Sequence, residues 1–360
     1  MARILTIVGA RPQFIKAAVV SRRIAATPGL SECLVHTGQH HDANMSDVFF
    51  DDLGIPPAAH HLGIAGLSHG AMTGRMLEGL EAVMQAEAPT WVLVYGDTNS
   101  TIAGALAAAK LHIPVAHVEA GLRSFNRAMP EEVNRVVTDH CSDLLFTPTA
   151  TASTNLRREG LSPERIAEVG DVMFDAALYF GALTEERGLS APVPGLTPGD
   201  YVLATVHRQE NTDDVDRLSI ILGGLQAAAA ELPVVMPLHP RTRGRISAAG
   251  LDPLTRGLTL LDPQGYLEMV ALERGAAVIA TDSGGVQKEA FFHGVPCVTL
   301  RDETEWTELV DAGWNQLAPT DSAAAVGAAI VAARGRRGEA VAPYGDGDAA
   351  GKIVDRLLRS

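Results

Sequence analysis

Short runs of consecutive apolar residues recur along the chain, each followed by a longer stretch with helical spacing. Positions 4–8, 33–36, 91–95, 115–118 and 144–146 are apolar on both faces, the pattern of strands in a parallel sheet covered by helices. Helices are predicted between them at 72–86, 102–111 and 130–141. The rhythm repeats after position 200. Strands are predicted at 201–206, 234–238, 258–261, 277–280 and 296–300, with helices at 214–230 and 287–293. Alternating units of this kind predict a doubly wound α/β architecture. The stretch 190–199, SAPVPGLTPG, is rich in Pro and Gly and is the expected linker. It divides the chain into a first domain, 1–189, and a second, 200–345. A closing helix within 346–360 can pack on either half, the first included.

Composition narrows the classes of function. Of 360 residues, 46% are hydrophobic and 20% charged, which excludes a disordered chain. The 29 basic against 43 acidic side chains leave a net charge of −14, a poor balance for gripping nucleic acid or an anionic membrane. Any phosphate must be held by a local cluster of cations and backbone N–H groups. Cys33, Cys141 and Cys297 are far apart and form no CxxC pair, which argues against a disulfide framework or a zinc cage and fits a reducing cytosol. No apolar run has the length of a signal core or a membrane span. A cytoplasmic, soluble protein is expected.

In open parallel sheets ligands gather beyond the carboxyl ends of the strands, so the residues that follow each strand are the candidates. The first strand leads to Gly9-Ala10-Arg11-Pro12, with Lys16 in the helix behind it. This is not the GxGxxG of a dinucleotide site, and Arg11 and Lys16 are the candidates to meet an anion there. Later strands lead to Gly96-Asp97-Thr98, to Glu119, to His207-Arg208-Gln209-Glu210-Asn211, to His239-Pro240-Arg241 and to Thr281-Asp282-Ser283-Gly284-Gly285. The last of these has the features of a phosphate seat. Ser283 can cap the next helix, Gly284 and Gly285 let backbone N–H groups approach a ligand, and Glu289 is placed to accept from ribose hydroxyls. Asp97, Glu119 and Glu131 come from three turns of one half. Gathered together, such carboxylates can take and return a carbon-bound proton and stabilise a cationic sugar centre. His36, His40 and His41 have no ligand spacing, so no metal is expected.

With these residues placed, the chain resembles the non-hydrolysing UDP-N-acetylglucosamine 2-epimerases over essentially its whole length. The carriers are Gly9-Ala10-Arg11-Pro12 with Lys16, Gly96-Asp97-Thr98, His117-Val118-Glu119-Ala120-Gly121-Leu122-Arg123, Met129-Pro130-Glu131-Glu132 with Asn134-Arg135, Thr205-Val206-His207-Arg208 with Glu210-Asn211, and Thr281-Asp282-Ser283-Gly284-Gly285 with Gln287 and Glu289. The resemblance implies two Rossmann-like domains in a GT-B arrangement with a central cleft. It also implies a cofactor-free inversion at carbon 2 of a UDP-2-acetamido sugar, through a glycal formed by loss of UDP. The implied catalytic residues are Asp97, Glu119, Glu131 and His207. The implied UDP contacts are Arg11, Lys16, His239, Ser283, Gly284, Gly285 and Glu289, with Arg241 added by its position. A homodimer, and UDP with its 2-acetamido sugar as the partner molecules, are implied in the same way.

The spelling departs from well-known members at three places. Their TERPE is here Thr304-Glu305-Trp306-Thr307-Glu308, their HRREN is His207-Arg208-Gln209-Glu210-Asn211, and the turn after the second strand reads Thr37-Gly38-Gln39-His40-His41-Asp42-Ala43-Asn44-Met45. GARPQFIK, TGQHHDANMSD and RDETEW are closer to the branch that acts on UDP-2,3-diacetamido-2,3-dideoxyglucuronate. UDP-N-acetylglucosamine is the first expected substrate and the diacetamido uronate the alternative. A hydrolysing 2-epimerase, a GT-B glycosyltransferase and a non-catalytic nucleotide-sugar sensor are the other classes to separate by experiment. Binding of UDP to the second half is expected to draw the halves together around the sugar.

Overall fold

The computed structural model describes residues 2–39 and 53–359. The chain divides into two compact units, residues Met1–Ala176 with Ala342–Ser360, and Ala177–Val341. The boundary falls inside the helix Val172–Glu186 rather than in the Pro- and Gly-rich stretch 190–199. That stretch belongs to the second unit, where Ala191, Val193 and Leu196 pack against a core of Tyr201, Leu203, Leu272, Ile279 and Cys297. Its prolines and glycines shape a surface turn, and its three apolar residues hold the turn down. The closing helix, Ala349–Arg359, belongs to the first unit.

The first unit is built on a parallel sheet of seven strands. These are β1 (Ala2–Val8), β2 (Leu30–His36), β3 (His60–His61), β4 (Trp91–Tyr95), β5 (Val115–Val118), β6 (Leu144–Thr147) and β7 (Ile166–Glu168), in the order β3-β2-β1-β4-β5-β6-β7. All residues of β4, β5 and β6 are buried, as strands covered on both faces require. One face packs on the helices His69–Glu87 and Asn99–Lys110 through Leu5, Ile7, Val35, Met76, Leu80, Val92 and Ala105. In Ala349–Arg359 the residues Ile353, Val354 and Leu357 are buried, and this helix packs on Arg11–Ala25. The Asp175 carboxylate accepts from the N–H groups of Ala349 (3.0 Å) and Ala350 (2.8 Å), so it caps the free donors of that helix.

The second unit repeats the design with six parallel strands. These are β8 (Val202–Thr205), β9 (Val234–Pro237), β10 (Leu258–Leu261), β11 (Val278–Thr281), β12 (Cys297–Thr299) and β13 (Asn315–Leu317), ordered β10-β9-β8-β11-β12-β13. Its larger core joins β8, β9, β11 and β12 to the helices Val215–Ala228 and Ala323–Ala333. In both units the strand order turns back beside the first strand, which opens a crevice at the carboxyl ends of β1 and β4 and of β8 and β11. Among the described residues no helix is long and apolar enough to cross a membrane.

Candidate active site

Two of the three predicted acids in the first unit, Asp97 and Glu119, stand at the carboxyl ends of β4 and β5. Gly96 follows β4 in the left-handed region (φ +62°), and a Cβ there would lie 3.2 Å from Glu119 Oε2 and 3.4 Å from Lys16 Nζ. Only a glycine leaves this space open without strain. Glu119 follows β5 and is itself left-handed (φ +70°), an uncommon and costly conformation for a side chain of this size. Its carboxylate is paired with Lys16, and both side chains are largely buried. Asp97, one residue past Gly96, is bound by Arg135 Nη1 at 2.6 Å, and its carbonyl accepts from Asn134 Nδ2 at 2.9 Å. Burial pushes the Asp97 carboxyl up against the pull of Arg135, and the charges of Glu119 and Glu131 push it further. Glu131 is exposed in the first turn of the helix Pro130–Cys141. Arg11 opens the helix Arg11–Ala25 and is partly exposed.

Several residues to which the sequence assigned no site role, some of them inside the quoted motifs, hold this arrangement. His117, fully buried, sets Nδ1 at 2.7 Å from Asp139 Oδ1 and Nε2 at 2.8 Å from the Gly96 carbonyl. Both ring nitrogens thus lie within hydrogen-bond distance of an oxygen. Asp139 also accepts from Gly121 N at 3.1 Å and from Arg123 at 2.7 Å, and Arg123 forks onto Glu159. Gln13 ties the first turn to the fourth strand. Its Oε1 accepts from Gly9 N (2.8 Å) and Ala10 N (3.0 Å), while Nε2 donates to the Tyr95 carbonyl (2.8 Å). Glu132, next to the exposed Glu131, is buried. It accepts from Ser124 N (2.9 Å) and Phe125 N (3.0 Å) and pairs with Arg135. Burial alone would raise its carboxyl, but the bonds from Ser124 and Phe125 and the Arg135 charge bring it below the usual range. Glu131 and Glu132 are thus divided into an exposed acid and a scaffold acid.

In the second unit the turn after β11 runs into a capped helix. Ser283 caps the helix Gly284–Phe292, and its Oγ accepts from Val286 N at 3.4 Å. A Cβ at Gly285 would meet Ser283 Oγ at 3.8 Å and Glu289 Oε2 at 4.0 Å, whereas one at Gly284 would run into Glu305. Glu289, largely buried, has Oε1 3.5 Å from the Tyr266 hydroxyl. Asp282, fully buried, accepts from His207 N (3.0 Å), Arg208 N (3.0 Å) and Asn211 Nδ2 (3.0 Å). It therefore fixes the turn that presents His207, whose side chain is half exposed with Nδ1 3.4 Å from Asp282 Oδ1. His239 caps the helix Pro240–Ala248 through Nδ1, which accepts from Arg241 N at 3.2 Å. Arg241 itself reaches Asp213 at 2.8 and 3.0 Å, so the cation assigned by position alone is held by a surface carboxylate. Gln287 is a core residue: its Oε1 accepts from Thr304 (2.6 Å) and Asn315 (2.9 Å). Trp306, at the departure from TERPE, donates from Nε1 to the Gly284 carbonyl at 2.9 Å and lies 4.4 Å under the Lys288 ammonium.

A family model described as UDP-N-acetylglucosamine 2-epimerase matches residues 22–358. The chain belongs to the UDP-N-acetylglucosamine 2-epimerase family. Members of this family are isomerases acting on UDP-sugars. A UDP-2,3-diacetamido-2,3-dideoxy-D-glucuronate 2-epimerase of Pseudomonas aeruginosa is 51% identical over 99% of both chains. The crystal structure of the Methanocaldococcus jannaschii UDP-GlcNAc 2-epimerase in complex with UDP-GlcNAc and UDP is similar at 38% identity and a TM-score of 0.85. It covers 100% of this chain and 99% of that one. That of Neisseria meningitidis UDP-GlcNAc 2-epimerase bound to UDP-GlcNAc is similar at 30% identity and a TM-score of 0.89, covering 99% and 100%. The GT-B-type fold with two Rossmann-like domains is shared with these epimerases.

Within this epimerase fold the two units contribute different chemistry. The first gathers carboxylates with a lysine and an arginine among them, a set able to exchange a proton and balance its charge. The second offers a capped helix N-terminus and two glycines, an arrangement able to receive an anion. His36, one of the histidines weighed as a metal ligand, is stacked on Phe14 with ring centroids 5.1 Å apart and planes 9° from parallel. His40 and His41 lie outside the described residues.

Proposed function

We propose that this chain inverts carbon 2 of a UDP-linked 2-acetamido sugar without a cofactor. Asp97, Glu119, Glu131 and His207 are its catalytic residues. Arg11, Lys16, His239, Ser283, Gly284, Gly285 and Glu289 are its contacts to UDP and substrate. The observation that carries the reading is the pair of acids at the carboxyl ends of β4 and β5, Glu119 paired with Lys16 and Asp97 paired with Arg135, with Glu131 in the first turn of the helix that supplies Arg135. In the proposed reaction a carboxylate takes the C2 proton. The C–H electron pair forms a C1–C2 double bond as the C1–O bond breaks, and its electrons leave on the β-phosphate oxygen of UDP. Re-addition of UDP at C1 with protonation of C2 from the opposite face gives the epimer. Arg11, Lys16 and the Gly284 end of its helix are suited to the charge that develops on the departing pyrophosphate.

UDP-N-acetylglucosamine, interconverted with its manno epimer, is the first substrate. The diacetamido uronate is the second, favoured by the 51% identity to the Pseudomonas aeruginosa enzyme and by the RDETEW segment, whose Arg301, Glu305 and Trp306 are tied to Glu210 and to the Gly284 turn. The test is incubation of each sugar nucleotide in deuterium oxide. Deuterium at C2 of substrate and product supports the proposal, and the faster of the two names the substrate. Release of free sugar and UDP would identify a hydrolysing enzyme. Transfer to an added acceptor without C2 exchange would identify a glycosyltransferase, and UDP binding with no turnover a sensor. The same reading includes a homodimer working in the cytoplasm; light scattering and cell fractionation test those two points.

A further inference from the structure

Among the described residues one group of three metal-capable side chains converges, and it lies away from the acids. Cys33, His60 and Glu87 bring one ligand atom each within 4.8 Å of one another. They come from three segments of the first unit: the middle of β2, the two-residue edge strand β3, and the last residue of the helix His69–Glu87. The pleat explains why they meet. Cys33 and Val35 lie on one face of β2, two residues apart, and both pack in the core formed with Leu80, Val83 and Met84 of that helix. His60 pairs with Val35 in register, so its ring stands beside that face, and the helix ends over it at Glu87. The helix runs back from the carboxyl ends of the strands. Its last turn therefore lies toward the end of the sheet opposite Asp97 and Glu119.

We propose that Cys33, His60 and Glu87 form a binding site for a zinc-type divalent cation, with water as the fourth ligand. The donor set is a thiolate, an imidazole and a carboxylate, the combination that suits a borderline-soft, tetrahedral ion. Tetrahedral bonds of ordinary zinc length place ligand atoms roughly 3.3–3.6 Å apart, so that no separation in the present group, at most 4.8 Å, need change by more than about 1.5 Å. His60 Nε2 and Glu87 Oε1 already face each other at 2.7 Å, and the ion would replace the proton between them. Arg3 holds the other Glu87 oxygen in an ion pair, the outer-shell support that ligating carboxylates commonly have. Cys33 is buried, and a bound cation, with the Arg3 guanidinium beside the sulfur, would balance the charge of a thiolate ligand there. The site would pin the edge strand β3, which pairs with Val35 and His36 of β2, to the end of a core helix.

Cobalt(II) is the probe, titrated into the full-length, tag-free protein after chelator treatment. The expected result is one equivalent bound, with a thiolate-to-cobalt charge-transfer band and the visible bands of a tetrahedral ion, displaced by zinc. Cys33→Ser abolishes the charge-transfer band. His60→Ala and Glu87→Gln, at half-buried positions that need not disturb the core, weaken binding at least tenfold, and Arg3→Ala about tenfold. Zinc raises the melting temperature of the parent and not of Cys33→Ser. No charge-transfer band at millimolar cobalt overturns the proposal. So does a band that survives Cys33→Ser, or an affinity unchanged in both His60→Ala and Glu87→Gln.

Discussion

Gly96→Ala tests the geometry of the acids without altering any of them. The substitution places a methyl group 3.2 Å from Glu119 Oε2 and 3.4 Å from Lys16 Nζ, on a backbone at φ +62°. The left-handed backbone alone costs about 1–2 kcal/mol, partly offset by the stiffer unfolded chain, and leaves a net loss of about 1 kcal/mol. In a unit of this size that lowers the melting temperature by about 2–4 °C. The rate is expected to suffer more. The Lys16–Glu119 pair must retreat by a few tenths of an ångström, and displacement of a reacting group by about 1 Å costs about a hundredfold; we expect C2 exchange to fall about tenfold or more. Gly160→Ala is the control, because Gly160 is equally left-handed (φ +84°) with nothing within 4 Å of the added Cβ. It should lose comparable stability and keep its exchange rate. Deuterium incorporation by mass spectrometry and thermal melts measure both quantities. If Gly96→Ala exchanges within twofold of the parent, or if Gly160→Ala loses as much rate, the Gly96 turn does not set the position of Glu119.

Three further outcomes are expected. Glu119→Gln and Glu131→Gln should each lose C2 exchange by at least about a hundredfold, the scale of a general acid or base, while calorimetry still detects UDP; near-normal exchange in Glu131→Gln would remove it from the proposed set. Glu289→Ala should weaken UDP binding about 10- to 100-fold, the range for a hydrogen bond to a charged group, and an unchanged dissociation constant would refute its ribose role. Asp175 provides a pH test of stability: burial raises its carboxyl from 3.8 to about 6 against the two helix N–H bonds. The folded state therefore holds this proton more tightly than the unfolded chain. Its contribution to stability is present below the unfolded value and is lost as pH rises through about 6. From pH 7 to pH 5 the parent should gain about 1 kcal/mol relative to Asp175→Asn; parallel melting curves at the two pH values would contradict this.

The strands legible in the sequence are those whose residues are buried on both sides, such as Trp91–Tyr95 and Val115–Val118. His60–His61, Ile166–Glu168 and Asn315–Leu317 escaped because they lie at or near sheet edges and are short and partly polar, so no apolar run announces them. The stretch 190–199 read as a linker because proline and glycine mark turns, but composition does not reveal that Val193 and Leu196 pack on Tyr201 and Leu272. The proposed site residues were legible as polar groups after strands. Those behind them were not. Asp282 looks like part of a phosphate turn and instead anchors the His207 turn; His117 looks like a core histidine and instead holds the Gly96 carbonyl. Their partners are 75 and 21 residues away, a separation that no local pattern encodes.

The chain leaves the first unit at Ala176 and returns to it only at Ala342. During synthesis, then, the first unit waits with a bare apolar stripe on Arg11–Ala25 while the whole second unit emerges and folds. Its last piece arrives only after the second unit has been made. A nonsense or frameshift lesion between codons 342 and 352 would spare every proposed catalytic and nucleotide-binding residue, yet leave the first unit without Ile353, Val354 and Leu357. Any attempt to produce that unit alone must splice residues 342–360 behind Ala176 rather than stop there.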